Sequence, residues 1–75
     1  MIKKEVYWLI VVKWTRNSDW GVEFGDWDSS VVRQEARDTY KGECYAYRIT
    51  SSTGEQSDID AIVNDFNERN KHADN

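Results

Sequence analysis

One stretch of the chain, residues 6–14, is apolar at odd and even positions alike. It reads V-Y-W-L-I-V-V-K-W, with Val6, Trp8, Ile10, Val12 and Trp14 on one parity and Tyr7, Leu9 and Val11 on the other. Side chains alternate between the two faces of a strand, so a strand that is apolar on both faces belongs in the middle of a sheet. We therefore predict that residues 6–14 form the central strand.

A second strand is predicted to follow in a hairpin. Residues 15–18 are turn formers, and beyond them Trp20, Val22 and Phe24 alternate with smaller or charged residues. This one-sided pattern predicts an edge strand with those three side chains inward and Asp19, Gly21 and Glu23 outward. Outward acids would also discourage pairing with other strands.

A helix is predicted over residues 29–41, after a turn. Asp28 supplies an acceptor for the free amides of the first turn. Val32, Ala36 and Tyr40 recur at four-residue spacing and form a narrow apolar stripe. Gly42 is suited to the left-handed conformation that ends many helices.

The chain then returns to a period of two and ends in a second helix. Residues 43–51 predict a third strand, with Tyr45, Tyr47 and Ile49 on one face. From Ser57, a helix is predicted by the i, i+3, i+4, i+7 pattern of Ile59, Ile62, Val63 and Phe66.

The predicted fold class is α+β, in the order β-β-α-β-α. A right-handed crossover through the first helix places the third strand beside the first, which gives an antiparallel sheet of order 2-1-3. We expect both helices on one face of this sheet. Residues 1–69 would form a single domain and residues 70–75 a polar tail.

Two helices on one face would leave the other face of the sheet open. Either parity of residues 6–14 would then expose an apolar patch of a size that monomers seldom expose. We therefore expect a partner there, with a homodimer through the open sheet face as the first interpretation.

Composition excludes several classes of function. The 75 residues carry a net charge of −4, which disfavours direct binding of nucleic acid. No apolar run approaches the roughly 20 residues that span a bilayer, and the N-terminus has no signal-peptide cleavage site, so we expect a cytoplasmic protein without membrane contact.

No cofactor, metal or catalytic site is predicted. The only cysteine, Cys44, has no histidine in an ordered element to activate it, because His72 lies in the tail. Asp26, Asp28 and Ser30 begin like a calcium loop, but the glycine and the bidentate glutamate that such a loop requires are missing. We therefore expect a protein that is not an enzyme.

An acidic window is the first candidate binding site. Asp19, Glu23, Asp26 and Asp28 hold the whole net charge, because the other ten acids balance the ten bases. With Trp20 and Trp27 as anchors, the window could bind a basic protein surface. Alternatively, the acids solvate an edge strand and complement a helix N-terminus. The predicted partner-binding residues are Trp8, Trp14, Asp19, Trp20, Glu23, Asp26, Trp27 and Asp28.

A second candidate site combines basic and aromatic residues for a small ligand. In a homodimer, one of three arginines would contact the phosphate of a nucleotide-like molecule while an aromatic ring stacks on the base. The residues of this alternative are Arg33, Arg37, Arg48, Tyr45 and Tyr47.

Two segments resemble a family of phage proteins. W-G-V-E-F-G-D-W-D-S-S-V-V-R-Q-E (residues 20–35) and D-I-D-A-I-V-N-D-F-N (residues 58–67) are similar to segments of small uncharacterised accessory proteins of tailed phages and prophages. The resemblance implies a phage accessory gene that serves takeover of the host or evasion of its defences, and it implies no activity.

We therefore expect a non-enzymatic protein-interaction module that acts in the cytoplasm of a host cell. It would bind and inhibit a host protein of defence or nucleic-acid handling. The alternatives are the nucleotide-sequestering homodimer and a structural or assembly protein of the phage particle.

Overall fold

The computed structural model of the chain describes residues 6–73. Three strands and two helices follow one another in the predicted order: β1 (Tyr7–Lys13), β2 (Trp20–Asp26), α1 (Ser29–Glu35), β3 (Ala46–Ser52) and α2 (Gln56–Ala73). The sheet has the order β2-β1-β3, and both neighbours of β1 are antiparallel to it. The α+β class and the strand order are confirmed.

One face of the sheet packs against α1. Ile10 and Val12 of β1 form a buried cluster with Val32, Ala36 and Tyr40. The apolar stripe predicted for the first helix is thus the stripe that covers the even-numbered side chains of β1.

The other face of the sheet packs against α2. Leu9 and Val11 have no accessible surface. Lys13 has the same parity as Leu9 and Val11, and it is paired with Trp20 of β2. The Trp20 ring lies 5.1 Å from the Phe66 ring in α2. The second helix therefore covers the odd-numbered side chains.

The expectation of two helices on one face is wrong, and so is the open face that followed from it. Strands lie about 4.8 Å apart, whereas packed helices lie about 8–10 Å apart, so three strands give room for roughly one helix per face. Because β1 is apolar on both faces, each face needs its own helix. Within residues 6–73, no open sheet face is left through which a homodimer could form.

A β-bulge changes the parity of β2. Ile10 pairs with Phe24 but Val11 pairs with Val22, which leaves Glu23 as an extra residue. Phe24 therefore lies on the α1 face, whereas Trp20 and Val22 lie on the α2 face. The prediction that these three side chains share one face is wrong.

The ends of α1 follow the predicted chemistry, although the helix itself changes type. The Asp28 carboxylate accepts from the Ser30 amide at 2.9 Å and caps the N-terminus. Residues Ala36–Tyr40 continue α1 as a π-helical turn, which the Lys41 amide closes by donating to the Ala36 carbonyl. Gly42 follows with φ of 82°, as expected of a left-handed stop.

Helix α2 extends beyond the expected domain boundary. It begins at Gln56, where Thr53 accepts from the Glu55 amide and donates to Asp58, and it continues to Ala73. Asn70, expected in the polar tail, bonds to Lys13 of β1. The last two residues of the expected tail lie outside the described residues.

Candidate functional site

Two exposed aromatic residues occupy facing backbone positions at one end of the sheet. Trp14 directly follows β1 and is 45% exposed, and Tyr45 directly precedes β3 and is 59% exposed. The Tyr45 amide donates to the Trp14 carbonyl at 3.1 Å, which continues the β1–β3 pairing by one step. The two side chains are therefore fixed to adjacent backbone positions.

The β-bulge brings a carboxylate to this pair. The indole Nε1 of Trp14 donates to Oε2 of Glu23 at 3.3 Å. A bulge redirects the side chain of the extra residue, and here it directs Glu23 toward the α1 side of the sheet, where Trp14 lies. The structure thus joins two of the predicted partner-binding residues, Trp14 and Glu23, by a hydrogen bond between their side chains.

Tyr40 supports Trp14 from the buried side. Its ring lies 6.0 Å from that of Trp14 at an angle of 58°, and the Glu43 amide donates to its carbonyl. We call these five residues, Trp14, Glu23, Tyr40, Glu43 and Tyr45, the Trp14 surface.

Two carboxylates act on the buried hydroxyl group of the Trp14 surface. Burial raises the pKa of the Tyr40 hydroxyl, and the charges of Glu23 and Glu35 raise that pKa further. Glu43 precedes Tyr45 by two residues in the chain, whereas the basic residues Lys41 and Arg16 lie two residues before Glu43 and two residues after Trp14. The surface thus combines exposed aromatic rings with a net negative charge.

Trp27 lies at the opposite end of the sheet. It is 52% exposed, and its ring packs edge-on against Tyr7 at a centroid distance of 4.7 Å. A Cβ at Gly54 would lie only 2.8 Å from the Trp27 ring, so a larger residue there would require the ring to shift. Trp27 therefore joins the turn before α1 to the turn before α2.

The other two tryptophans of the predicted set are half-buried. Trp8 packs against the α1 cluster. Trp20 packs on Phe66, and the side-chain amide of Asn67 bonds to both the N–H and the carbonyl of Trp20. Trp8 therefore packs in the half of the core under α1, and Trp20 packs in the half under α2.

The acidic window is not a compact cluster. Asp19 precedes β2 and Asp26 ends it, so the strand separates them by roughly 20 Å at about 3.3 Å per residue. Asp26 accepts from the Asp28 amide, and hydrogen bonds from the Ser30 side chain and backbone lower the pKa of Asp28. Of the four acids, Glu23 is the one that accepts a hydrogen bond from Trp14.

The residues of the small-ligand alternative lie on two sides of the sheet. Arg33 and Arg37 are on the α1 side, where Arg37 donates to Gln34. Arg48 is paired with Val11 on the α2 side, and its guanidinium lies 5.9 Å from the Trp20 ring. Tyr47 is paired with Val12 on the α1 side. The three arginines do not converge on one phosphate.

Sequence reasoning missed a buried cation. Lys13 is 3% exposed, and its Nζ donates to the Ser18 carbonyl at 2.7 Å and to Oδ1 of Asn70 at 2.8 Å. Lys13 lies on the same face of β1 as Leu9 and Val11. This alternation in the sequence could have indicated that Lys13 faces a helix. Its ammonium lies beside the last turns of α2, where the helix dipole favours a cation.

The rest of the described chain offers shallow grooves. One groove of about 450 Å³ lies between β2 and α2. It is lined by Val22, Gln56, Ile59, Asp60, Val63 and Asn64. Across residues 6–70, no three cysteine or acidic side chains come together as metal ligands would.

Comparison with family models, with curated proteins and with solved structures found no match to the chain. In residues 6–73, no helix has the length and apolar character required to cross a membrane.

Proposed function

We propose that the protein is a non-enzymatic interaction module and that it binds another protein through the Trp14 surface. The observation that carries the proposal is the pair of exposed aromatic side chains, Trp14 and Tyr45, held on adjacent backbone positions beside Glu23. Tryptophan and tyrosine are enriched among residues that dominate binding energy, and their rings lose little entropy on binding.

The chemistry of the surface favours a basic partner. Glu23 accepts a hydrogen bond from Trp14, Glu43 is two residues before Tyr45 in the chain, and the chain as a whole carries a net charge of −4. Lysine or arginine side chains of a partner would meet carboxylates at the rim and the faces of aromatic rings at the centre. We infer that salt weakens the complex chiefly by slowing association.

The biological role that we propose is inhibition by occupation. The module would cover a functional surface of a host protein that handles nucleic acid or takes part in defence, since the nucleic-acid-binding surfaces of such proteins are basic. The resemblance of residues 20–35 and 58–67 to phage accessory proteins supports this context. The host cytoplasm is the compartment that the proposal implies.

The proposal is tested by quantitative affinity purification from a bacterial lysate, followed by binding measurements with the purified partner. We expect Trp14→Ala to weaken binding of the partner by about 30-fold or more, the effect of losing a residue worth at least about 2 kcal/mol. Raising the salt concentration should lower the association rate.

Trp27→Ala is the matched control, because Trp27 is equally exposed but lies at the opposite end of the sheet. It should retain binding, and both variants should be compared only after circular dichroism shows that they fold. Equal losses in the two variants, or a partner that binds Trp14→Ala as tightly as the wild type, would contradict the proposal.

A further inference from the structure

The two edges of the sheet differ in ways that decide which can accept another strand. On β2, the bulge at Glu23 interrupts the ladder, and Asp26 adds a second carboxylate. On β3, pairing with β1 is continuous from Ser52 to Ala46. The seven residues of β3 include no acid and one charged side chain, that of Arg48.

Bulges and carboxylates are features that block pairing at a sheet edge, and β3 has neither. Its outer side leaves main-chain donors and acceptors without a strand to pair with. A groove of about 590 Å³, lined by Gly42 and residues 44–48, follows the first half of the strand.

We propose that β3 is a docking edge for the β3 strand of a second copy of this chain. The two strands would run antiparallel about a two-fold axis at Ile49, and the two sheets would join into one sheet of six strands. This inference does not rest on Trp14 or Glu23, although Tyr45 of the Trp14 surface also lines the groove beside β3.

The side chains of β3 are compatible with this register. Ile49 would face Ile49 of the second copy, and Arg48 would face Thr50 in each of two symmetric pairs. No like charges are directly opposite, a situation that would weaken a strand pair. Tyr47 and Ile49 are half-buried against the α1 cluster, and the second copy would extend this apolar row across the axis.

The charge distribution favours β3 over β2 as the contact between copies. Each chain carries a net charge of −4, and the window of four acids lies on and around β2. Pairing through β3 places the two β2 strands at the outer ends of the joined sheet, as far apart as the sheet allows, so that repulsion between them is screened. Pairing through β2 would place these acids against one another.

The experiment is sedimentation equilibrium of the full chain from about 1 μM to about 1 mM, the range in which weak association is measured. We expect a reversible dimer. Thr50→Lys places a cation opposite Arg48 in two pairs and should weaken dimerisation about tenfold, whereas Thr50→Glu should strengthen it. Asn64→Lys and Asn64→Glu make the same charge changes on the exposed face of α2 beside β2, and both should leave the dimer unchanged.

Hydrogen exchange of the wild-type chain at low and high concentration decides the location without any variant. Protection of amides in residues 46–52 that increases with concentration supports the inference. A monomer throughout the concentration range, equal effects of the Thr50 and Asn64 variants, or protection at β2 or the Trp14 surface would overturn it. A strand from an unrelated protein that occupies β3 while the chain stays monomeric would also overturn it.

Discussion

The indole N–H of Trp14 donates to the carboxylate of Glu23, nine residues along the chain and across the hairpin, at 3.3 Å. The contact depends on a single extra residue in β2, because Glu23 is the position at which the pairing register slips. The same slip sends Phe24 to one half of the core and Val22 to the other side of the sheet. The bulge therefore shapes both the packing of β2 and the surface that we propose as a binding site.

Deleting Glu23 should destabilise the protein far more than truncating it. The deletion removes the register slip, so that either Phe24 or the pair of Trp20 and Val22 leaves its half of the core. We expect a loss of about 3–5 kcal/mol in the free energy of unfolding, the usual cost of removing a buried phenylalanine. Glu23→Ala keeps the bulge and should cost at most about 1.5 kcal/mol. Urea denaturation measures both, and similar losses would contradict this interpretation of the bulge.

Both parities of β1 should be intolerant of truncation. Leu9→Ala and Ile10→Ala remove fully buried side chains under α2 and α1 respectively, and each should cost about 2–5 kcal/mol in urea denaturation. Val6→Ala, at a largely exposed position just before the strand, is the control and should cost less than about 1 kcal/mol. If either core variant were as stable as the control, that face of the sheet would not be covered as described.

Lys13 should stabilise the fold through its ammonium group. Lys13→Met keeps most of the apolar stem but removes the donor to Asn70 and Ser18, and it should cost about 1–3 kcal/mol. In an Asn70→Ala background the same substitution should cost less by at least about 0.5 kcal/mol, since the two residues interact directly. A more stable Lys13→Met variant would mean that the cost of burying the cation exceeds the strength of its hydrogen bonds.

The fold should lose stability in alkali through Tyr40. Its pKa is raised in the folded state above the ordinary value of 10.0 by burial and by the charges of Glu23 and Glu35. The neutral hydroxyl is therefore favoured by folding. Its contribution is complete below about pH 10 and is lost as the pH rises through the folded-state pKa.

Urea denaturation from pH 8 to pH 11 checks this dependence on Tyr40. Tyr40→Phe should reduce the loss of unfolding free energy between pH 8 and pH 11. Glu23→Gln should lower the pKa of Tyr40 in a spectrophotometric titration. If Tyr40→Phe declined as steeply as the wild type, another group would account for the loss.

The central strand, the strand order and the ends of α1 are readable from the sequence because each has a local cause. The apolar side chains of β1 appear at both parities, the cap of α1 is one aspartate, and the stop after it is one glycine. The side of the sheet that each helix covers has no local cause. The side that each helix covers follows from the widths of helices and strands, and the periodic pattern of apolar residues carries no information on these widths.

The bulge was hidden by a pattern that looks regular. Trp20, Val22 and Phe24 keep a perfect spacing of two in the sequence, and only the pairing with β1 reveals that Glu23 has no partner. The candidate site changed for a related reason. Asp19 and Asp28 are close along the chain, but an extended strand carries them to opposite ends of the sheet, whereas Trp14 and Glu23 are brought together across the hairpin.

Because β1 is enclosed by a helix on either face and a strand on either side, it has little freedom to diverge without loss of the fold. Trp14 and Tyr45 lie just beyond the ends of β1 and β3 and are not enclosed in this way. Substitutions at the proposed binding surface could therefore alter which protein it binds, while residues 7–13 keep the same scaffold.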